Sequence, residues 1–169
     1  MTVVSDTSVL IHLARIDRFN LLRHLFSEIT VPETVWQETV SGGKGQPGAP
    51  ELQSARASGW IEVASVNTET GTWRLLHQAL DKGEADALAL ASQRGADLVL
   101  LDESAARNRA EALGLRKTGT IGLLLRAKRE GLIDRVQPAL DALRATSFWI
   151  DESLYRHALE AVGERSEET

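Results

Sequence analysis

TVVSDTSVLIHL, residues 2–13, sets a short β-branched run directly against an acid and then against an apolar stretch. Val3 and Val4 fit a short buried strand that delivers Asp6 at its exit, and Val9 to Leu13 with Ile16 have helical spacing. DLVLLD, residues 97–102, repeats the pattern: an apolar run closed by an acid, followed by the alanine-rich helix ESAARNRAEALG that ends at Gly114. Two further strands are predicted at Glu28–Val31, closed by Pro32, and in WIEVASV (60–66), with an edge strand in LRKTG (115–119). Helices are predicted between them over 18–26, in PETVWQETV (32–40) with proline in its first turn, in ELQSARAS, around TWRLLHQAL and in GEADALALASQRG. TIGLLLRAKREG, IDRVQPALDALRAT and DESLYRHALEAVGE complete the set. Short apolar strands alternating with helices imply an α/β fold with a central, mostly parallel sheet. SGGKGQPGAP (41–50) reads as a loop.

The chain has 169 residues, 43% hydrophobic and 25% charged, which fits one domain over 1–169 with a C-terminal helical tail from about residue 147. It contains no cysteine, so disulfides and thiolate metal sites are excluded. No signal-like segment and no window of about 20 apolar residues is visible, so a cytoplasmic protein with no membrane partner is expected. The net charge of −5 argues against a large, uniform nucleic-acid surface. Its distribution is uneven: from Arg107 to Arg129, seven cations face the single acid Glu111. Such a segment can dock a phosphate backbone on one face, although solubilising helix charge explains many of these side chains equally well.

Ligands of open parallel sheets bind beyond the carboxyl ends of the strands. Asp6 and Asp102 both belong there, and each could alternatively be the N-cap of the next helix. Glu38 lies on the helix whose Val35 and Trp36 face the core, and Glu84 and Asp86 begin a helix too apolar to face solvent. Converging carboxylates without basic partners would repel one another, a conflict that a hard divalent cation resolves. His12, His24, His77 and His157 are scattered over helices, and with no cysteine they do not suggest zinc.

The segments VVSDTSVLIHL, PETVWQETV, KGEADALALA, LVLLDESAAR and TGTIGLLLRAKREGLI, in this order, resemble PIN-domain ribonucleases, specifically the VapC-like toxins of bacterial toxin–antitoxin pairs. The resemblance implies a PIN-like three-layer α/β/α sandwich and a metal-dependent endoribonuclease that uses Mg²⁺ or Mn²⁺ to activate water against RNA phosphodiesters. It implies an acidic site of Asp6, Glu38, Glu84 and Asp102, with Asp86 as a further metal ligand. Glu84 and Asp86 are two apart on a helix and do not share a face; Glu84 is slightly favoured. Ser8 and Glu103 would support the ligands, and Arg107, Arg116, Lys117 and Thr120 would seat the RNA. A small antitoxin protein and a second copy of the chain are the implied partners.

Two other classes compete. One is a catalytically weak PIN-like module acting through complex formation. The other is a phosphotransferase or phosphatase of a different α/β fold. A dehalogenase-like enzyme wants an aspartate where this chain has Ser8, and a response regulator does not accommodate the helical segment 7–26.

Overall fold

A computed structural model describes residues 1–165. Five strands form one all-parallel sheet: β1 (Val3–Ser5), β2 (Ile29–Pro32), β3 (Ile61–Ala64), β4 (Leu98–Leu100) and β5 (Lys117–Thr118), in the order β3-β2-β1-β4-β5. Between them run α1 (Thr7–Arg15), α2 (Leu21–Phe26), α3 (Glu33–Trp36), α4 (Ala49–Ala57), α5 (Gly71–Ala79), α6 (Lys82–Arg94) and α7 (Ser104–Ala112). α8 (Thr120–Arg129), α9 (Gln137–Arg144) and α10 (Glu152–Ala161) follow the last strand.

Strand alternation divides the core in two. Val3, Leu98 and Leu100 face a large cluster built from α1, α2, α4, α8, α9 and α10. Val4, Val99 and Leu101 face a second cluster with Leu76 of α5, Leu88 of α6 and Ala106 of α7. The result is the three-layer α/β/α sandwich that the resemblance implies, around the parallel sheet that the alternation of strands and helices implies. α6 is buried continuously from Ala85 to Ala91, and its small residues let it approach β1, β2 and β4 as well as α3, α5 and α7.

β1 lies between β2 and β4, with Val3, Val4 and Ser5 in register with Leu98, Val99 and Leu100. The ladder runs one step further, where the Asp6 N–H donates to the Leu100 carbonyl at 3.1 Å. β1 leads out towards β2 on one side and β4 on the other, so its carboxyl end is the topological switch point of the sheet.

Several element boundaries differ from the sequence reading. Pro32 is the last residue of β2 and precedes the helix instead of lying in its first turn. The helix predicted from residue 18 starts at Leu21, and the one predicted from 133 starts at Gln137. Ala49 and Pro50, read as loop, open α4, where proline satisfies its fixed φ at no hydrogen-bonding cost. The last four residues of the predicted tail, 166–169, lie outside the described residues. No helix among the described residues is long and apolar enough to cross a membrane.

The tail is anchored by Glu164. Its carboxylate accepts from the Val136 N–H at 2.7 Å, the Gln137 N–H at 3.2 Å and Lys128 Nζ at 2.9 Å, and so caps the start of α9. Burial works to raise its pKa, but the bonds from Val136, Lys128 and Gln137 outweigh this and hold it below the usual value. A depressed carboxyl pKa contributes stability above the unfolded-state pKa and loses it as pH falls through the folded one. Glu164→Gln should therefore cost about 1.5 kcal/mol in urea unfolding at pH 7, and the difference from the parent protein should shrink by pH 3.

Candidate functional site

Asp6 is fully buried where β1 gives way to α1. Its Oδ1 accepts from the Val9 N–H at 3.1 Å and caps α1, while its Oδ2 has no partner. Only Thr39 Oγ1 shares that condition among the described residues. An unpaired buried carboxylate oxygen is costly, and the pKa of Asp6 is pushed well up, first by burial and then by the charges of Asp102, Glu84 and Glu103.

Beside Asp6 opens a cleft of about 430 Å³ with Thr7, Ser8, Glu38, Asp81, Gly83 and Glu84 in its walls. Glu38 reaches it from a widened turn: α3 passes into a π-helical segment over Gln37–Ser41, closed by the Gly42 N–H on the Gln37 carbonyl at 2.7 Å. π-turns of this kind often re-aim side chains at functional sites. The Glu38 carboxylate accepts from Thr7 Oγ1 at 2.6 Å. It lies so close to α6 that a Cβ on Gly83 would stand 2.5 Å from Oε2, so glycine is what permits the approach. Glu84 follows on the first turn of α6, half-buried. Its pKa is raised to about 7, by burial first and then by Asp81, Glu103 and Glu38. Lys82 also lines the cleft but is exposed, and among the described residues no ion pair joins it to these acids.

Asp102 leaves β4 next to this cleft and is held on both oxygens. Oδ1 accepts from the Thr120 N–H at 2.7 Å, and Oδ2 from Thr120 Oγ1 at 2.6 Å with His12 Nδ1 at 2.7 Å. Burial alone would raise its pKa, but the bonds from His12 and Thr120 bring it below the usual value. Gly119 permits this packing, since a Cβ there would stand 2.6 Å from Asp102 Oδ1 and 2.9 Å from Arg107 Nη1. Phe148 meets the His12 ring edge-on at 4.7 Å between centroids.

The structure thus brings Asp6, Ser8, Glu38 and Glu84 to one cleft, with Asp102, Glu103 and Arg107 adjoining it. It does not bring Asp86 there. That side chain is buried on another face of α6, where it accepts from Trp73 Nε1 at 2.9 Å and Thr34 Oγ1 and pairs with His77 Nε2 at 2.6 Å. Thr120 is fully buried and spends both its donors on Asp102, so the start of α8 holds a carboxylate and not a phosphate. Arg116 and Lys117 line a different cleft with Met1 and Asp97, at the amino ends of the strands. Thr7, His12 and His77 are the polar partners that the sequence reading missed. Ser8 and His12, four apart, give the only local hint that one face of α1 is polar.

The donor set suits a hard divalent cation: oxygen ligands, an orphaned buried carboxylate oxygen, and acids raised by one another's charge. The donors are present but not gathered. Among the described residues, no three Asp, Glu or His side chains are grouped closely enough to hold a metal ion as they stand.

The chain matches the family model described as DUF3368, PIN domain, over residues 2–164. Among solved structures it is similar to a domain of a functionally unknown protein from Methanocaldococcus jannaschii DSM 2661. That similarity has 23% identity and a TM-score of 0.46, covering 70% of this chain and 89% of the other.

The raised pKa of Glu84 has a thermodynamic sign. The folded state binds this proton more tightly than the unfolded state, so the stabilising contribution is complete at low pH. It is lost as pH rises from the ordinary glutamate range through about 7. Glu84→Gln should leave stability unchanged near pH 4 and raise it at pH 8. The gain should be up to about 1 kcal/mol once solvent screening of this half-exposed group is allowed for, read from urea unfolding at the two pH values.

Proposed function

The chain belongs to the PIN-domain family, and we propose that it is an endoribonuclease that uses Mg²⁺ or Mn²⁺ to hydrolyse RNA phosphodiesters at the Asp6–Glu38–Glu84 cleft. The PIN domain is a nuclease-type fold, and PIN-domain nucleases usually employ divalent metals. The observation that carries the reading for this chain is the unpartnered Asp6 Oδ2, buried at the switch point beside Glu38 and Glu84, to which no ion pair joins a basic side chain among the described residues.

A bound cation supplies Lewis-acid stabilisation of the charge that develops at phosphorus. Asp6 would hold it from the floor of the cleft, Glu38 and Glu84 from the walls, with Asp102 adjoining. Glu84, pushed up to about 7 by burial and its acidic neighbours, would give up its proton when it takes up the cation. Ser8 offers a hydroxyl beside Asp6 to orient the attacking water. Arg107, next to Gly119 and Asp102, supplies positive charge for the RNA backbone. Glu103 at the start of α7 adds negative field to the cleft.

The biological setting follows from the order of the motifs, which resembles VapC-like toxins. We read the protein as a cytoplasmic toxin neutralised by a small antitoxin protein and acting as a homodimer. One observation favours the other reading, a weakly active binding module: Asp102 is already occupied by His12 and Thr120.

Incubation of a mixed RNA pool with the protein and Mn²⁺ decides between them. Cleavage should require the metal, stop with chelator, and fall roughly 100-fold or more in Asp6→Asn. Cleavage that survives both changes would overturn the proposal, and its absence with any RNA would leave the binding module. A second variant separates site from fold. Gly83→Ala should retain the parent melting temperature, because alanine favours the helix. It should nevertheless lose most Mn²⁺-dependent cleavage, because the new Cβ displaces the Glu38 carboxylate.

A further inference from the structure

On the far side of β5 from the acids lies a cleft of about 340 Å³, bounded by β4, β5 and α8. Arg116, Lys117, Arg126 and Arg129 line it, against the single acid Asp97. The Asp97 Oδ2 also accepts from the Thr2 N–H at 2.6 Å. The cations have little internal compensation. Lys117 Nζ stands 3.7 Å from the exposed Glu111, and Arg126 Nε 3.4 Å from the exposed Glu130 on its own helix. Arg126 is also fixed by stacking over the Phe26 ring at 4.8 Å. In a chain of net charge −5, four cations gathered in one concavity repel one another unless an anion joins them.

The cleft is separate from the acidic site, and the β5–α8 connection joins the two. β5 carries Lys117 in the cleft and runs within three residues, at most about 10 Å of extended chain, to Thr120, which holds Asp102. Arg107 flanks Gly119 at the acidic end of that connection, and the four cations of the cleft lie at its other end. Guanidinium groups grip phosphate oxygens in pairs and suit a polyphosphate track better than isolated carboxylates.

We propose that the Arg116–Arg129 cleft is a second, non-catalytic site that binds the phosphate backbone of single-stranded RNA a few nucleotides from the bond presented to the acidic cleft. The inference rests on the nuclease reading for the direction of the strand, but the binding itself does not require cleavage.

The test uses the full-length protein in chelator, a fluorescent single-stranded oligoribonucleotide of twelve residues, and anisotropy over a salt series. The parent protein should bind with a clear salt dependence. Arg116→Ala with Arg129→Ala should weaken binding on the order of tenfold or more and make the salt slope shallower by about 1.4. Arg116→Lys with Arg129→Lys should recover most of that slope, and Arg23→Ala, which removes an exposed arginine on α2, should change neither quantity. Unchanged binding in the double alanine variant, with its melting temperature intact, would overturn the proposal. So would binding of an oligoglutamate of equal charge in place of RNA, which would make the cleft a protein-docking site. Arginine-dependent RNA binding without any Mn²⁺-dependent cleavage would uphold this site while removing the nuclease reading. Cleavage with arginine-independent binding would do the reverse.

Discussion

A carboxylate buried with one oxygen bonded and the other bare is the constraint around which this molecule's functional end is arranged. Asp6 caps α1 through Oδ1, a task asparagine or serine would also perform, and the same side chain leaves Oδ2 without a partner. Lys82 lines the same cleft, but among the described residues no ion pair joins it to Asp6. Glu84 and Glu103 instead add like charge, while Glu38 closes the opposite wall. A fold selected for stability alone would fill the position with asparagine or serine; this one tolerates the cost at the point where its parallel sheet opens. Asp102, one strand away, is treated in the opposite manner, with two bonds from Thr120 and one contact from His12 holding it charged. Two carboxylates at equivalent strand ends thus have pKa values pushed in opposite directions, the arrangement by which sites assign different tasks to chemically identical groups.

Two glycines set the spacing of this end. Gly83 lets the first turn of α6 close onto Glu38, and Gly119 lets the β5–α8 connection close onto Asp102 and Arg107. Neither needs an unusual backbone angle; each is glycine because a carboxylate occupies the space a methyl would take. The π-helical turn at Gln37–Ser41 belongs to the same set of adjustments, since it directs Glu38 towards α1 and α6.

The sheet and its layers were legible because β-branched and apolar runs of three or four residues, each followed by a helix, admit few other architectures. The strand-end acids were legible for the same reason: an acid directly after VVS or LVLL must emerge at the carboxyl edge. Asp6 is a cap through Oδ1, and the structure adds what the sequence did not show, that its Oδ2 is buried without a hydrogen-bond partner. Helical geometry alone separates Glu84 from Asp86. Which of them reaches the cleft was not legible, because Asp86 is claimed by Trp73 and His77 on α5, a partnership invisible to local spacing. His12 and His77 looked idle for the same reason, as their carboxylate partners lie 90 and 9 residues away. The basic run from Arg107 to Arg129 reads as one surface in sequence, yet β5 crosses the sheet edge inside it, so Arg107 and Arg116 end at opposite rims.

The strand order β3-β2-β1-β4-β5 places the first strand at the centre, so the chain builds outward in one direction and then returns to build outward in the other. The acidic cleft lies on the seam between these two arcs. Asp6 and Glu38 come from the first, Glu84 and Asp102 from the second, and neither arc alone holds more than half of the charge. The cluster is therefore a property of the closed sheet and not of any segment: a fragment ending before α6 would carry a capped helix and an isolated glutamate, with no mutual repulsion. The site is complete only with β4 paired to β1.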